Sequence, residues 1–125
     1  MTLETEVRNT MNDNTLSMVA ERFRVLGDPL RLRILQAVGE GESTVADLTA
    51  QCETSQANAS KHLGVLLRAG LVTRRKEGLF VYYRVADPSV FRMCDLVCGS
   101  IKDRLARDLA HFEPAPPSGR RKGAR

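Results

Sequence analysis

From Leu71 the apolar spacing of this 125-residue chain changes from helical to strand-like, and after Val85 it changes back. Val72-Thr73-Arg74-Arg75-Lys76, then Glu77-Gly78, then Leu79-Phe80-Val81-Tyr82-Tyr83-Arg84-Val85 reads as one basic β-hairpin with its glycine at the turn. The flanking pattern is helical. Leu16, Val19, Ala20, Phe23 and Leu26 define a first helix, stopped by Gly27. Asp28 caps a second, with Pro29 in its first turn and a stripe of Leu30, Ile34, Leu35 and Val38 running to Gly39. Thr44 and Asp47 approximate a capping box ahead of Val45, Leu48 and Cys52, a short third helix. Ser55 or Thr54 caps a fourth, through Leu63, Val65, Leu66 and Leu67 to Ala69, closed by Gly70. Asp87-Pro88 opens a long final helix with the stripe Val90, Cys94, Val97, Cys98, Ile101, Leu105, Leu109 and Phe112. The expected fold is mainly α with a two-stranded β-hairpin wing, in the order α-α-α-α-β-β-α.

The length suits one domain. Residues 1–14 are polar without an apolar period, and residues 114–125 are Pro/Gly-rich and basic, so a flexible N-terminal arm, a folded unit over 15–113 and a disordered basic tail are expected. No apolar run is long enough to span a bilayer and no basic region followed by an apolar core opens the chain, which points to a cytoplasmic protein with no membrane partner. Three cysteines, Cys52, Cys94 and Cys98, are too few and too odd in number for a disulfide framework. Phosphate-binding loops, His-Glu-x-x-His and Cys-x-x-Cys pairs are absent, so an enzyme is not expected.

The formal charge of +4 is unevenly spread. Within residues 55–84, Lys61, Arg68, Arg74, Arg75, Lys76 and Arg84 stand against Glu77 alone, the footprint a polyanion such as double-stranded DNA requires. Charge alone also fits a solvated face; the neighbouring pattern is more specific. In a helix-turn-helix the second helix presents short polar side chains to the major groove. Ser55-Gln56-Ala57-Asn58-Ala59-Ser60-Lys61-His62 has that character. Gln56 and Asn58 can pair bidentately with adenine, Ser55 and Ser60 can bond a base or a phosphate, and Lys61 can reach guanine or phosphate. His62 either joins them or packs on the preceding helix. Arg74, Arg75 and Lys76 would meet phosphates or the minor groove beside it.

The run Phe23-Arg24-Val25-Leu26-Gly27-Asp28-Pro29-Leu30-Arg31-Leu32-Arg33-Ile34-Leu35 is followed by Val45-Ala46-Asp47-Leu48, Ser55-Gln56, Ser60-Lys61-His62-Leu63, Ala69-Gly70-Leu71-Val72 and Gly78-Leu79-Phe80-Val81-Tyr82-Tyr83-Arg84-Val85. Together these resemble the ArsR/SmtB family of bacterial winged-helix repressors over residues 18–112. The resemblance implies a homodimer formed through the first and last helices, bound to a palindromic operator and released by an effector. The long apolar stripe of the last helix agrees, since a chain this small has little with which to cover it.

What is sensed is less legible. The family's arsenic-type site places Cys-x-Cys just before an Asp-Leu pair, where this chain has Thr44 and Ala46. Its zinc-type site finds only Asp95, Asp108 and His111, a poor set for tetrahedral zinc. Cys94 and Cys98, at i and i+4 on one helical face, remain. They could share a thiophilic metal or metalloid such as arsenite, cadmium or copper, with Cys52 as a further candidate ligand, or respond to thiol oxidation. No cofactor is obligatory. Equally, free cysteines pack well in apolar faces. Two other readings stand beside the repressor: a thiol-based redox or metal-binding protein without DNA binding, and an interaction module using its last helix.

Overall fold

The computed structural model describes residues 11–112, so the arm and tail expected over 1–14 and 114–125 lie outside it except for residues 11–14. Among the described residues the order is α1 (Asp13–Leu26), α2 (Pro29–Val38), β1 (Glu42–Ser43), α3 (Val45–Gln51), α4 (Gln56–Arg68), β2 (Val72–Glu77), β3 (Phe80–Val85) and α5 (Ser89–Phe112). The chain divides after Pro88 into two compact units.

In the first unit the helix ends are set by local polar chemistry. Asn12 Oδ1 accepts from the Thr15 N–H at 2.9 Å and starts α1 at Asp13, ahead of the apolar spacing that begins at Leu16. Asp28 accepts from the N–H groups of Leu30 and Arg31 to start α2, with Pro29 at the first position, where a missing donor costs nothing. At α3 the capping box is complete: the Asp47 N–H donates to Thr44 Oγ1 at 3.1 Å and the Thr44 N–H to Asp47 Oδ2 at 3.2 Å.

Helices α2, α3 and α4 pack on one another and on the sheet. Their inward stripes supply the core: Ile34, Leu35, Leu48, Leu63 and Leu66 are each at most 2% exposed, with Leu71 and Val72 closing it from the strand side. Each such side chain stabilises the fold by roughly 1.5–3 kcal/mol.

The wing is an antiparallel sheet of three strands in the order β1-β3-β2, one more than the expected hairpin. Glu42 and Ser43 pair with Arg84 and Tyr83. Two residues carry no readable period, so this strand is invisible in the sequence. Register on the other side runs from Val72↔Val85 to Glu77↔Phe80, and Gly78 turns the hairpin at φ 62°, which an L side chain rarely adopts.

The second unit is α5. Of its 24 residues one, Val90, is buried. Leu96, Val97, Ile101, Leu105, Leu109 and Phe112 are all more than half exposed.

Candidate nucleic-acid interface

The turn between α3 and α4 decides how α4 is presented. Cys52 ends α3, Glu53 takes the left-handed conformation at φ 52°, and the Thr54 N–H donates back to the Thr49 carbonyl at 3.1 Å. This hydrogen-bond pattern closes a helix when the residue past its end turns left-handed. Ser55 then caps α4, its Oγ accepting from the Asn58 N–H at 3.0 Å. The Ser55 hydroxyl proton stays free to donate outward.

Along α4 the two faces separate cleanly. Ala59, Leu63 and Leu66 are 0% exposed, whereas Gln56, Ala57, Asn58, Ser60 and Lys61 are exposed. Three-and-four spacing puts the buried residues on one side, leaving the short polar residues of the first two turns on the other. Backbone N–H groups and the positive end of the helix dipole point the same way as this polar end. His62 lies at the border between the faces and is half-buried, with its Nδ1 accepting from Arg31 Nε at 3.0 Å.

Arg74, Arg75 and Lys76 are all exposed on β2, but they are not equivalent. Alternation puts Arg75 on the sheet face opposite to Arg74 and Lys76. There Arg75 Nε and Nη2 donate to Glu42 at 2.8 and 2.9 Å, and Nη1 donates to Glu77. Its guanidinium sits 4.7 Å from the centroid of the Tyr82 ring, so it spans the central strand from one edge to the other. These hydrogen bonds raise the pKa of Arg75 further, and the same guanidinium holds the Glu42 carboxyl below its ordinary value. The cationic excess counted along residues 55–84 is therefore reduced by a carboxylate 33 residues away in sequence, which local reading could not find. Among the described residues Arg74, Lys76 and Lys61 enter no ion pair.

The cysteines differ in the same way. Cys52 is 1% exposed in the core, and burial pushes its thiol up, favouring the protonated, weakly ligating form. Cys94 is half-buried and Cys98 exposed on α5, one turn apart. Among the described residues no three His, Cys, Asp or Glu side chains converge into a metal site, and no helix is long and apolar enough to cross a membrane.

Comparison with known proteins agrees with this geometry. A helix-turn-helix domain family matches residues 26–75. The chain is 40% identical over 105 residues to the "probable mercury resistance operon repressor" of Streptomyces lividans, covering 84% of this chain and 74% of that one. It is 36% identical to the transcriptional repressor SmtB homolog of Synechocystis, covering 66% of this chain and 63% of that one. Among solved structures it matches the homodimeric winged helix-turn-helix DNA-binding domain of Mb0332 from Mycobacterium bovis, "a possible ArsR-family transcriptional regulator", with a TM-score of 0.64 and 32% identity over 76% of this chain and 91% of that one.

Proposed function

We propose how this chain works from what it is: it belongs to the ArsR/SmtB family of winged helix-turn-helix transcriptional repressors, DNA-binding regulators and not enzymes. It binds a palindromic operator as a homodimer, each protomer reading one half-site in the major groove with α4. The observation that carries this is the division of α4, where every polar residue from Gln56 to Lys61 is exposed while Ala59, Leu63 and Leu66 are fully buried. Gln56 and Asn58 read base edges; Ser55, Ser60, Lys61 and His62 set register on bases and adjacent phosphates. On the wing, Arg74 and Lys76 meet phosphates, while Arg75 stiffens the sheet through Glu42 and contributes less charge to DNA. The exposed stripe of α5 and the homodimeric state of the Mb0332 domain support the dimer.

The effector acts on α5. Cys94 and Cys98 supply two soft ligands at helical spacing, which suits a thiophilic ion, and the Streptomyces lividans relative is described as a mercury resistance operon repressor. The third ligand comes from outside the described residues of one chain, or the pair is oxidised instead. Either change at a dimer helix alters the spacing of the two reading helices and releases DNA.

The test is a gel-shift titration with a palindromic duplex selected from a randomised pool by the wild-type protein. It is repeated with mercuric ion, arsenite, cadmium, copper, zinc and a persulfide donor, using Cys94→Ser and Cys98→Ser as controls. Release by a soft ion or oxidant, lost in both variants, is expected. Release that persists in both variants sinks the assignment to these cysteines, and a pool that yields no bound duplex sinks the repressor.

A further inference from the structure

Arg31 lies in the first turn of α2, outside the segment read for DNA contact, yet its side chain joins three helices. Its Nη1 donates to the Val25 carbonyl in the last turn of α1 at 2.9 Å, and its Nε donates to His62 Nδ1 in the second turn of α4 at 3.0 Å. Asp28 accepts from the Arg31 backbone N–H at 3.2 Å and fixes where the side chain starts. We propose that Arg31 is a positioning residue for DNA binding, holding His62 as the neutral imidazole whose Nε2–H donates to a backbone phosphate oxygen. This rests on α4 being the DNA-reading helix.

The chemistry leaves little freedom. A guanidinium nitrogen always carries its proton and can only donate, so the Nδ1 that it meets must accept. A neutral imidazole with Nδ1 accepting carries its one proton on Nε2. The two ring nitrogens point to different sides, so turning Nδ1 towards α2 directs Nε2 elsewhere. Nε2 has no hydrogen-bond partner among the described residues, and the ring sits at the border of the buried face, next to exposed Lys61. Freed from Arg31, the ring would divide between two tautomers, one of which offers phosphate an acceptor where a donor is needed. Arg31 is itself half-buried, with Nε and Nη1 already committed to protein acceptors, which disfavours a direct phosphate contact.

The experiment measures affinity for the pool-selected duplex at several salt concentrations for four proteins: wild type, Arg31→Gln, His62→Ala and the double variant. Nitrogen-15 spectra of the imidazole are recorded in the free proteins. The only other histidine, His111, is replaced by Gln throughout, so that one ring is observed. The expected results are a pure Nε2–H tautomer in the parent and a tautomer average in Arg31→Gln. His62→Ala loses about tenfold in affinity, the size of one hydrogen bond to a charged acceptor, Arg31→Gln loses about twofold because only part of the ring population keeps the Nε2–H, and the double variant loses no more than His62→Ala. The salt slope stays unchanged, because a neutral donor displaces no counterion. Four results would each overturn the proposal: a Nδ1–H or averaged tautomer in the parent, additive losses, a slope lowered by about one without Arg31, or His62→Ala binding like wild type. The parent tautomer needs no variant, so it decides even where Arg31→Gln fails to fold. Failure to bind any duplex removes the repressor function as a whole, whereas binding that is indifferent to His62 removes only this inference.

Discussion

Helices α4 and α5 carry the same kind of pattern, an apolar stripe along one side of a polar helix, and the folded chain treats them differently. On α4 the stripe of Ala59, Leu63 and Leu66 is 0% exposed. On α5 Val97, Ile101, Leu105 and Leu109 are 56%, 54%, 61% and 60% exposed. An amphipathic pattern announces that a face will be covered without saying by what. For α4 the cover is the chain's own α2, α3 and β2; for α5 we assign it to a second protomer.

The sharpest way to break that contrast is to truncate one leucine on each helix. Leu63→Ala should cost about 3 kcal/mol in urea unfolding, the usual loss for a buried leucine that leaves a cavity. Leu105→Ala should leave the midpoint of a dilute, monomeric sample where it was and lower it only at concentrations where the chain self-associates. Equal losses in dilute solution would mean that α5 is covered within its own chain. Next in size, Ile101→Glu combined with Leu105→Glu should give a monomer in sedimentation and weaken operator binding by about a hundredfold, since the half-sites lose their linkage. A variant that stays dimeric shows that the interface lies elsewhere.

Within the first unit the contrast between Arg75 and its neighbours can be tested by salt. Lys76→Ala should lower the slope of log affinity against log salt by about one, while Arg75→Ala lowers it less and Glu42→Gln, which releases Arg75, raises it. Identical slopes for the two alanine variants would return Arg75 to the phosphate contacts. Glu53→Gly should stabilise the protein by about 1 kcal/mol by relieving a left-handed side-chain residue in the turn, measured by thermal unfolding. The smallest effect is at acid pH. Backbone N–H groups of Arg31 and Leu30 hold the Asp28 carboxyl below its ordinary 3.8. The capping stabilisation is thus present above that value and fades as pH falls through the lower folded value. Asp28→Asn keeps a capping oxygen and should flatten that limb of the stability curve, an outcome read from urea midpoints between neutral and strongly acid pH.

Much of this molecule is legible without coordinates. The caps at Asp28, Thr44 and Ser55, the turn at Gly78 and the stripe of α4 follow from chemistry acting within about four residues of chain. So does the choice of Gln56, Asn58, Ser60 and Lys61 as the polar face of a helix. The start of α1 is set by Asn12 and Asp13, polar residues within the expected arm that leave no trace in the apolar spacing.

Other features had no local signal at all. β1 is two residues long, Glu42 meets Arg75 across 33 residues of sequence, and Arg31 meets His62 across 31. Such pairs form because strand order and helix packing bring their elements together, and neither partner's neighbours in sequence record it. Short-range preferences thus give the chain its elements and their faces. Which cation is spent within the protein, which histidine nitrogen turns inward and which cysteine is sealed in the core were settled by packing, because those depend on groups that become neighbours only after folding.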